Sequence, residues 1–227
     1  MKISLLPFLL ISFSIFAQVK SEYGVEVTER KQTYLKQIER DSSHLLVDLK
    51  SIPELQFDIR YATANNFTGE VVYPAAEAFA RREVSKALNK ISQELRKEGL
   101  ALKIFDAYRP YDATVKFYEL YKDTTYVASP YSGSRHNRGC AIDLTLIDLE
   151  SGEALEMPTP YDDFTEKAHP TFENLPDEIK KNRDYLIHIM DKHGFDVYQY
   201  EWWHFDFRGW EKYPLMNLSF ETLKKIQ

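Results

Sequence analysis

The sequence predicts an α+β fold, a mostly antiparallel central sheet flanked by helices, and two observations carry that prediction. Amphipathic helical stripes and short β-prone runs follow one another without a regular βαβ repeat, so the pattern lacks the crossovers of a parallel sheet. The 227-residue chain is 44% hydrophobic and 14% aromatic, enough to fill one core, and no Pro/Ser-rich or low-complexity linker divides it. Net charge is −6 with scattered Lys and Arg, which excludes a nucleic-acid or anionic-membrane surface and favours a small or neutral substrate.

Met1-Lys2, the apolar run Ile3 to Phe16 and Ala17-Gln18 have the charged start, short hydrophobic centre and small residue of a secretory signal, with cleavage near Ala17. The run is too short to span a bilayer comfortably, so no stable membrane insertion is expected once it is removed. A buried N-terminal helix is the alternative reading of the same residues. Cys140 alone cannot form an intramolecular disulfide, and no cysteine stands near Ala17 for a lipid anchor. Residues 1–17 are therefore expected to be a signal peptide and 18–227 a single catalytic domain, exported across the inner membrane to a periplasm.

Within that domain, Thr28 to Arg40 carries Tyr34, Leu35 and Ile38 at helical spacing, a surface helix packing lightly on the rest. Leu45 to Leu49 reads as a short strand. Pro53 to Tyr61 closes on the alternating run Phe57-Asp58-Ile59-Arg60-Tyr61, and Ala62 to Gly69 is an Asn- and Thr-rich loop of the kind that carries binding residues. Glu77 to Glu98 gives the clearest helix, with Phe79, Val84, Ala87, Leu88, Ile91 and Leu95 in one stripe and Gly99 at its C-terminal cap. Leu100 to Ala107 is a strand ended by Pro110, and Tyr111 to Tyr121 resumes helical spacing. Cys140 to Leu149 alternates as a central strand, followed by a turn at Glu150 to Glu153 and a polar loop through Asp162, Asp163 and His169. Pro176 to His193 is a second long helix with Ile179, Leu186, Ile187 and Met190 inward and Gly194 after it. Phe195 to Phe207 is an aromatic strand or hairpin, and Leu218 to Ile226 a short terminal helix.

Two motifs concentrate the chemistry. Ser134-Arg135-His136-Asn137-Arg138-Gly139-Cys140-Ala141-Ile142-Asp143 runs into the central strand, and Glu201-Trp202-Trp203-His204 lies in the last hairpin. Together they offer two imidazoles, a ligand carboxylate and a spare carboxylate: three protein ligands for zinc with an open fourth position, and a general base beside it. Neighbours on a strand alternate faces, so His136 and Asp143 cannot share an ion if the whole segment is extended. His136 must sit in the preceding loop, where Gly133, Asn137 and Gly139 supply a flexible backbone. Glu201 and His204 likewise require a bulge or kink around Trp202-Trp203, with the tryptophans packed beneath the site to keep it dry. His44, His169, His188 and His193 lie outside both motifs; His188 and His193, on the second long helix, read as packing or surface residues, and His169, in the loop after Asp163, is a weaker candidate for the mouth of the site.

With these motifs the chain resembles the D-alanyl-D-alanine dipeptidases, zinc peptidases related to D-Ala-D-Ala carboxypeptidases and to the hedgehog signalling domain. The resemblance runs from about Leu49 to Phe207 and includes Ile59-Arg60-Tyr61-Ala62-Thr63, Asn66-Phe67-Thr68-Gly69 and Asp106-Ala107-Tyr108-Arg109-Pro110. It implies His136, Asp143 and His204 as ligands of one zinc ion, Glu201 as catalytic base and Arg109 as the cation that stabilises the transition state. It further implies Asp162, with Asp163 as its competitor, as the contact for the substrate's free amine, and Ser134 and Tyr61 as substrate-site residues. A base beside a zinc-activated water and a guanidinium facing the nascent oxyanion are the parts that peptide hydrolysis needs.

The expected partner is a small D,D-dipeptide, hydrolysed to two D-alanines in cell-wall peptide turnover or salvage; the sequence does not set an oligomeric state. A D,D-carboxypeptidase or endopeptidase on longer muropeptides uses the same machinery in an open groove, whereas a dipeptidase needs a closed end and an acid for the amine. A non-catalytic zinc-stabilised binding module is the third reading, ranked last because Glu201 and Arg109 are both present.

Overall fold

The computed structural model describes residues 19–226, so the signal-peptide reading of residues 1–17 lies outside the described residues. The described chain begins with strands β1 (Val19–Lys20) and β2 (Glu26–Thr28) and helix α1 (Lys31–Arg40). It continues through β3 (Leu46–Asp48), β4 (Gln56–Phe57), β5 (Phe79–Arg81), α2 (Arg82–Leu95), β6 (Leu100–Asp106) and α3 (Tyr111–Leu120). The second half contributes β7 (Ala141–Asp148), α4 (Asp177–Lys192), β8 (Phe195–Val197), β9 (His204–Phe207), β10 (Leu215–Met216) and α5 (Phe220–Lys224).

The principal sheet has the order β4-β6-β7-β9-β8, antiparallel throughout except where β4 runs parallel to β6. This is the α+β architecture expected. Its central strand is buried from Ala141 to Ile147, because α4 packs on β7 and the hairpin β8–β9 while α2 packs on β6. Cross-strand register does the positioning: Asp106 pairs with Asp143, and Asp143 pairs with His204. A register shift between Ile104 and Asp106 ends β6 with a bulge, which re-aims the side chains that follow it.

Three expectations need correction. The stripe beginning at Glu77 is not helical at its start: Phe79–Arg81 is a strand paired with Leu46–Asp48, and the helix begins at Arg82. Phe79, Ala80 and Arg81 are fully buried, and their non-local pairing outweighs the local helical spacing. The alternating run after Pro53 yields strand only at Gln56–Phe57, since Arg60–Ala62 turns into a 3-10 helix. The first helix also packs less lightly than expected, because Tyr34 is fully buried and its hydroxyl accepts from the Leu46 amide at 2.6 Å. The other helices stop where expected, with Gly99 left-handed at φ 74° after α2, but α4 turns Leu186, Ile189 and Met190 to the core and leaves Ile179 and Ile187 only partly buried. Among the described residues no helix is long and apolar enough to cross a membrane.

Gly139 closes the turn that leads into β7. Its φ is 69°, its carbonyl accepts from the Arg81 amide at 2.9 Å, and a Cβ placed on it would overlap Leu46 Cδ2. Gly139→Ala is expected to destabilise the fold by about 1–3 kcal/mol from the backbone alone, with the clash adding to it. Urea unfolding should show a lowered midpoint at unchanged slope.

Candidate active site

Asp143 and His204 project from paired positions of β7 and β9, and His136 reaches them from the 3-10 turn His136–Arg138 just before β7. The turn is bracketed by Gly133 at φ 71° and Gly139 at φ 69°. Asn137, expected to lend flexible backbone, instead holds the turn with a buried side chain. It accepts from the Ser134 amide at 2.7 Å and donates to Arg109 O at 3.0 Å and Thr114 Oγ1 at 2.8 Å. Ser134 Oγ in turn accepts from the His136 amide at 3.1 Å.

Each imidazole has one nitrogen committed. His136 Nδ1 donates to Ala107 O at 2.7 Å, and His204 Nε2 donates to Asp206 Oδ1 at 3.0 Å, so in the neutral form of each ring the other nitrogen carries a lone pair. Those nitrogens lie 3.2 Å from each other, at 3.3 Å (His136 Nε2) and 3.1 Å (His204 Nδ1) from Asp143 Oδ1. Asp143 Oδ1 is buried without a hydrogen-bond partner. Three lone-pair atoms converging in a dry site repel one another unless a cation sits among them. Ligands held about 2.0–2.2 Å from a tetrahedral ion stand roughly 3.3–3.6 Å apart; the observed separations lie at or within about 0.2 Å below that range, and the two-imidazole, one-carboxylate donor set fits zinc. The electrostatics agree: burial opposes charge on His204, yet Asp206 and Asp143 raise its pKa well above the usual histidine value, marking a place that calls for positive charge.

Glu201 stands outside the ligand triad, with Oε2 3.7 Å from His204 Nδ1. It lies in the turn joining β8 to β9, where the His204 amide reaches back to Glu201 O at 3.4 Å, so the kink expected around Trp202-Trp203 is present. Both tryptophans are buried, and Trp202 Nε1 donates to Thr159 Oγ1 at 3.0 Å. Burial pushes the Glu201 carboxyl up to about 8, while neighbouring His204 lowers it and the Asp143 and Asp162 charges raise it. A carboxylate held there binds a proton near neutrality.

Arg109 is buried against Asp106, donating from Nε at 3.0 Å and Nη2 at 2.8 Å to the same oxygen, Oδ2. The other Asp106 oxygen accepts from Tyr73 Oη and from the Ala107 amide, each at 2.9 Å. The guanidinium lies 4.8 Å from the Phe117 ring centroid and 5.3 Å from that of Tyr61, and Nη2 is 3.9 Å from Asp143 Oδ2.

A cavity of about 190 Å³ is walled by Tyr61, Arg109, Ser134, His136, Asp143, Asp162, Glu201 and His204, with Phe67, Phe117 and Trp203 among its apolar lining. All eight residues singled out in the sequence thus border one space. Asp162 sits at φ 63°, an Asx-tolerated left-handed conformation, with Oδ1 accepting from Tyr61 Oη at 3.1 Å and Oδ2 from the Phe67 amide at 3.2 Å. Burial pushes its carboxyl up to about 7 against the lowering effect of the Phe67 amide. Asp163 is not on the cavity wall and accepts from the Thr165 amide at 3.0 Å. His169 is also off the wall, its ring edge-on to Tyr200 at 5.2 Å, and His193 pairs with Glu94 at 3.0 Å.

Sequence reasoning gave no role to Asp106, Asp206 or Tyr161. Asp206 was within reach of the parity rule, since residues two apart on a strand share a face, and His204 and Asp206 do. Tyr161, whose hydroxyl donates to Asp143 Oδ2 at 2.9 Å, carries no local signal beyond adjacency to Asp162.

A family model described as D-ala-D-ala dipeptidase matches residues 42–221. The D-alanyl-D-alanine dipeptidase of Escherichia coli K12 is 38% identical over 176 residues, covering 77% of this chain and 91% of that one. The D-alanyl-D-alanine dipeptidase of Enterococcus faecium is 33% identical over 186 residues, covering 73% of this chain and 92% of its own. Among solved structures, the LD-carboxypeptidase LdcB is 22% identical at a TM-score of 0.41, covering 73% of this chain and 69% of that one.

The Asp106–Arg109 pair makes a stability prediction, because removing one member of a buried pair strands the other charge. Asp106→Ala should cost about 3–5 kcal/mol in denaturant unfolding, and Asp106→Asn, which retains an acceptor oxygen, should cost less.

Proposed function

The chain belongs to the D-ala-D-ala dipeptidase family, and we propose that it holds one zinc ion and hydrolyses D-Ala-D-Ala to two D-alanines. The observation that carries the reading is the meeting, in one small cavity, of a convergent metal-ligand triad, a spare carboxylate, a guanidinium and a second acid suited to an amine. At about 190 Å³ the space is smaller than the roughly 300–1,000 Å³ of pockets for drug-sized ligands, which suits a dipeptide better than a long muropeptide.

His136 Nε2, Asp143 Oδ1 and His204 Nδ1 would hold the zinc. When bound, zinc supplies Lewis acidity, which polarises a carbonyl and lowers the pKa of water. Asp162, with two hydrogen bonds already fixing its orientation, receives the substrate ammonium; the ammonium in turn favours its ionised form. Glu201 takes a proton from the attacking water and returns it to the departing amine nitrogen as the carbon–nitrogen bond breaks, so acid and base roles alternate on one carboxyl. Arg109, immobilised by Asp106, faces the oxyanion that develops on the carbonyl oxygen without reorganising at that moment. The buried Trp203 and the aromatic walls exclude water and strengthen these charges.

Residues 1–17 are read as an export signal, which puts the reaction outside the inner membrane and makes salvage or turnover of wall peptides its use; the remainder is one catalytic domain. Support for the single domain is a core that runs without interruption from Tyr34 to Leu223.

Purified protein should release D-alanine from D-Ala-D-Ala, and a chelator should abolish the reaction until zinc is restored. Cleavage of a muropeptide pentapeptide with the dipeptide left intact would replace this reading with the carboxypeptidase one. Glu201→Gln should keep its zinc by elemental analysis while losing roughly 10²–10⁴-fold in kcat.

Asp162→Asn should act on binding. Loss of a charge-assisted hydrogen bond, about 1.5–3 kcal/mol, should raise KM for D-Ala-D-Ala roughly 10–100-fold, while Asp163→Asn stays close to wild type. Equal effects of the two substitutions would reject Asp162 as the amine contact.

A further inference from the structure

The Tyr161 hydroxyl joins two parts of the cavity that the mechanism treats separately. It lies 2.9 Å from Asp143 Oδ2 and 3.2 Å from the Tyr61 hydroxyl, which in turn lies 3.1 Å from Asp162 Oδ1. A continuous line of oxygens therefore runs from a metal-ligand carboxylate to the carboxylate assigned to the amine. Tyr61, Tyr161 and Asp143 are all buried.

Proton supply decides what each contact is. Two phenols bring two protons to three contacts, and Tyr161 must choose between a carboxylate oxygen and a neutral phenol oxygen. Hydrogen bonds to ionised acceptors are shorter and roughly twice as strong, so the proton goes to Asp143, in keeping with 2.9 Å against 3.2 Å. The same preference sends the Tyr61 proton to Asp162. Among the described residues the cation nearest Asp143 Oδ2 is Arg109 Nη2 at 3.9 Å, beyond hydrogen-bond reach, so Tyr161 is the hydrogen-bond donor that selects which carboxylate oxygen is free. Packing keeps it in place: the Tyr161 ring sits 4.7 Å from Phe105 and 5.4 Å from Trp203 between centroids, and Tyr61 lies 4.5 Å from Phe117.

We propose that Tyr161 is a positioning residue, whose hydroxyl occupies Asp143 Oδ2 so that Oδ1 alone turns to the two imidazoles. The proposal rests on the zinc dipeptidase reading above. It makes Tyr161 a determinant of metal affinity.

The test compares wild type, Tyr161→Phe and Tyr61→Phe as zinc-loaded full chains. Zinc affinity is measured by competition with a chromophoric chelator, and kcat and KM are measured on D-Ala-D-Ala. Both substitutions keep the ring and remove only the hydroxyl. Tyr161→Phe should weaken zinc binding roughly 10–100-fold, the usual effect of losing a group that orients a ligand. Tyr61→Phe should raise KM while holding zinc as tightly as wild type. Wild-type zinc affinity in Tyr161→Phe would overturn the proposal. Failure of the underlying reading looks different, since the wild type itself would then bind no zinc or leave the dipeptide uncut.

Discussion

Everything in the cavity is arranged around the cost of burying the Asp143 carboxylate. Burial opposes its charge, and the two imidazoles lower its pKa far below the usual carboxylate range in spite of that. One oxygen is satisfied by Tyr161 and the other faces the two imidazoles. An anion in that position is stable only if positive charge is nearby, and the fold provides for it by holding His136, His204 and Arg109 within 4 Å of its oxygens. Sheet register does the holding: Asp143 is the shared partner of Asp106 on one side and His204 on the other.

A second buried charge supports the first. Arg109 cannot swing toward solvent, because Asp106 fixes Nε and Nη2 while Tyr73 and the Ala107 amide fix Asp106. Such a pair adds little to net stability, since desolvation offsets most of the attraction. Its value is orientation. On the proposed mechanism, a guanidinium already aimed at the cavity needs no rearrangement when charge builds on a substrate oxygen.

How much of this was legible in the sequence depended on whether the cause was local. Helix stripes, the glycine after α2 and the prolines before α3 and α4 are local, and those elements fell where their residues indicated. Parity along a strand also reached the site, since it demanded that His136 and Glu201 leave the regular strands, and both do. Pairing between distant segments was not legible: Phe79–Arg81 has helical spacing but is claimed by Leu46–Asp48. Tyr161 was missed for the same reason. Its contact with Asp143 exists only because the polar loop folds back over β7, and nothing in a tyrosine's neighbours announces such a return. Asn137 was misjudged because its side chain, not its backbone, supplies the order.

The glycine at 133 has a consequence for how the molecule assembles. Its missing Cβ makes room for the Leu215 side chain, and Leu215 belongs to β10, which runs parallel to β2 and pairs with Val27. The turn that carries His136 is thus seated on a strand near the carboxyl end, which is itself clamped to a strand near the amino end. A ribosome delivers these pieces in the order β2, turn, β10. The nascent chain therefore cannot complete its reactive centre until almost all of it has been synthesised, so an unfinished copy of the peptidase is inert.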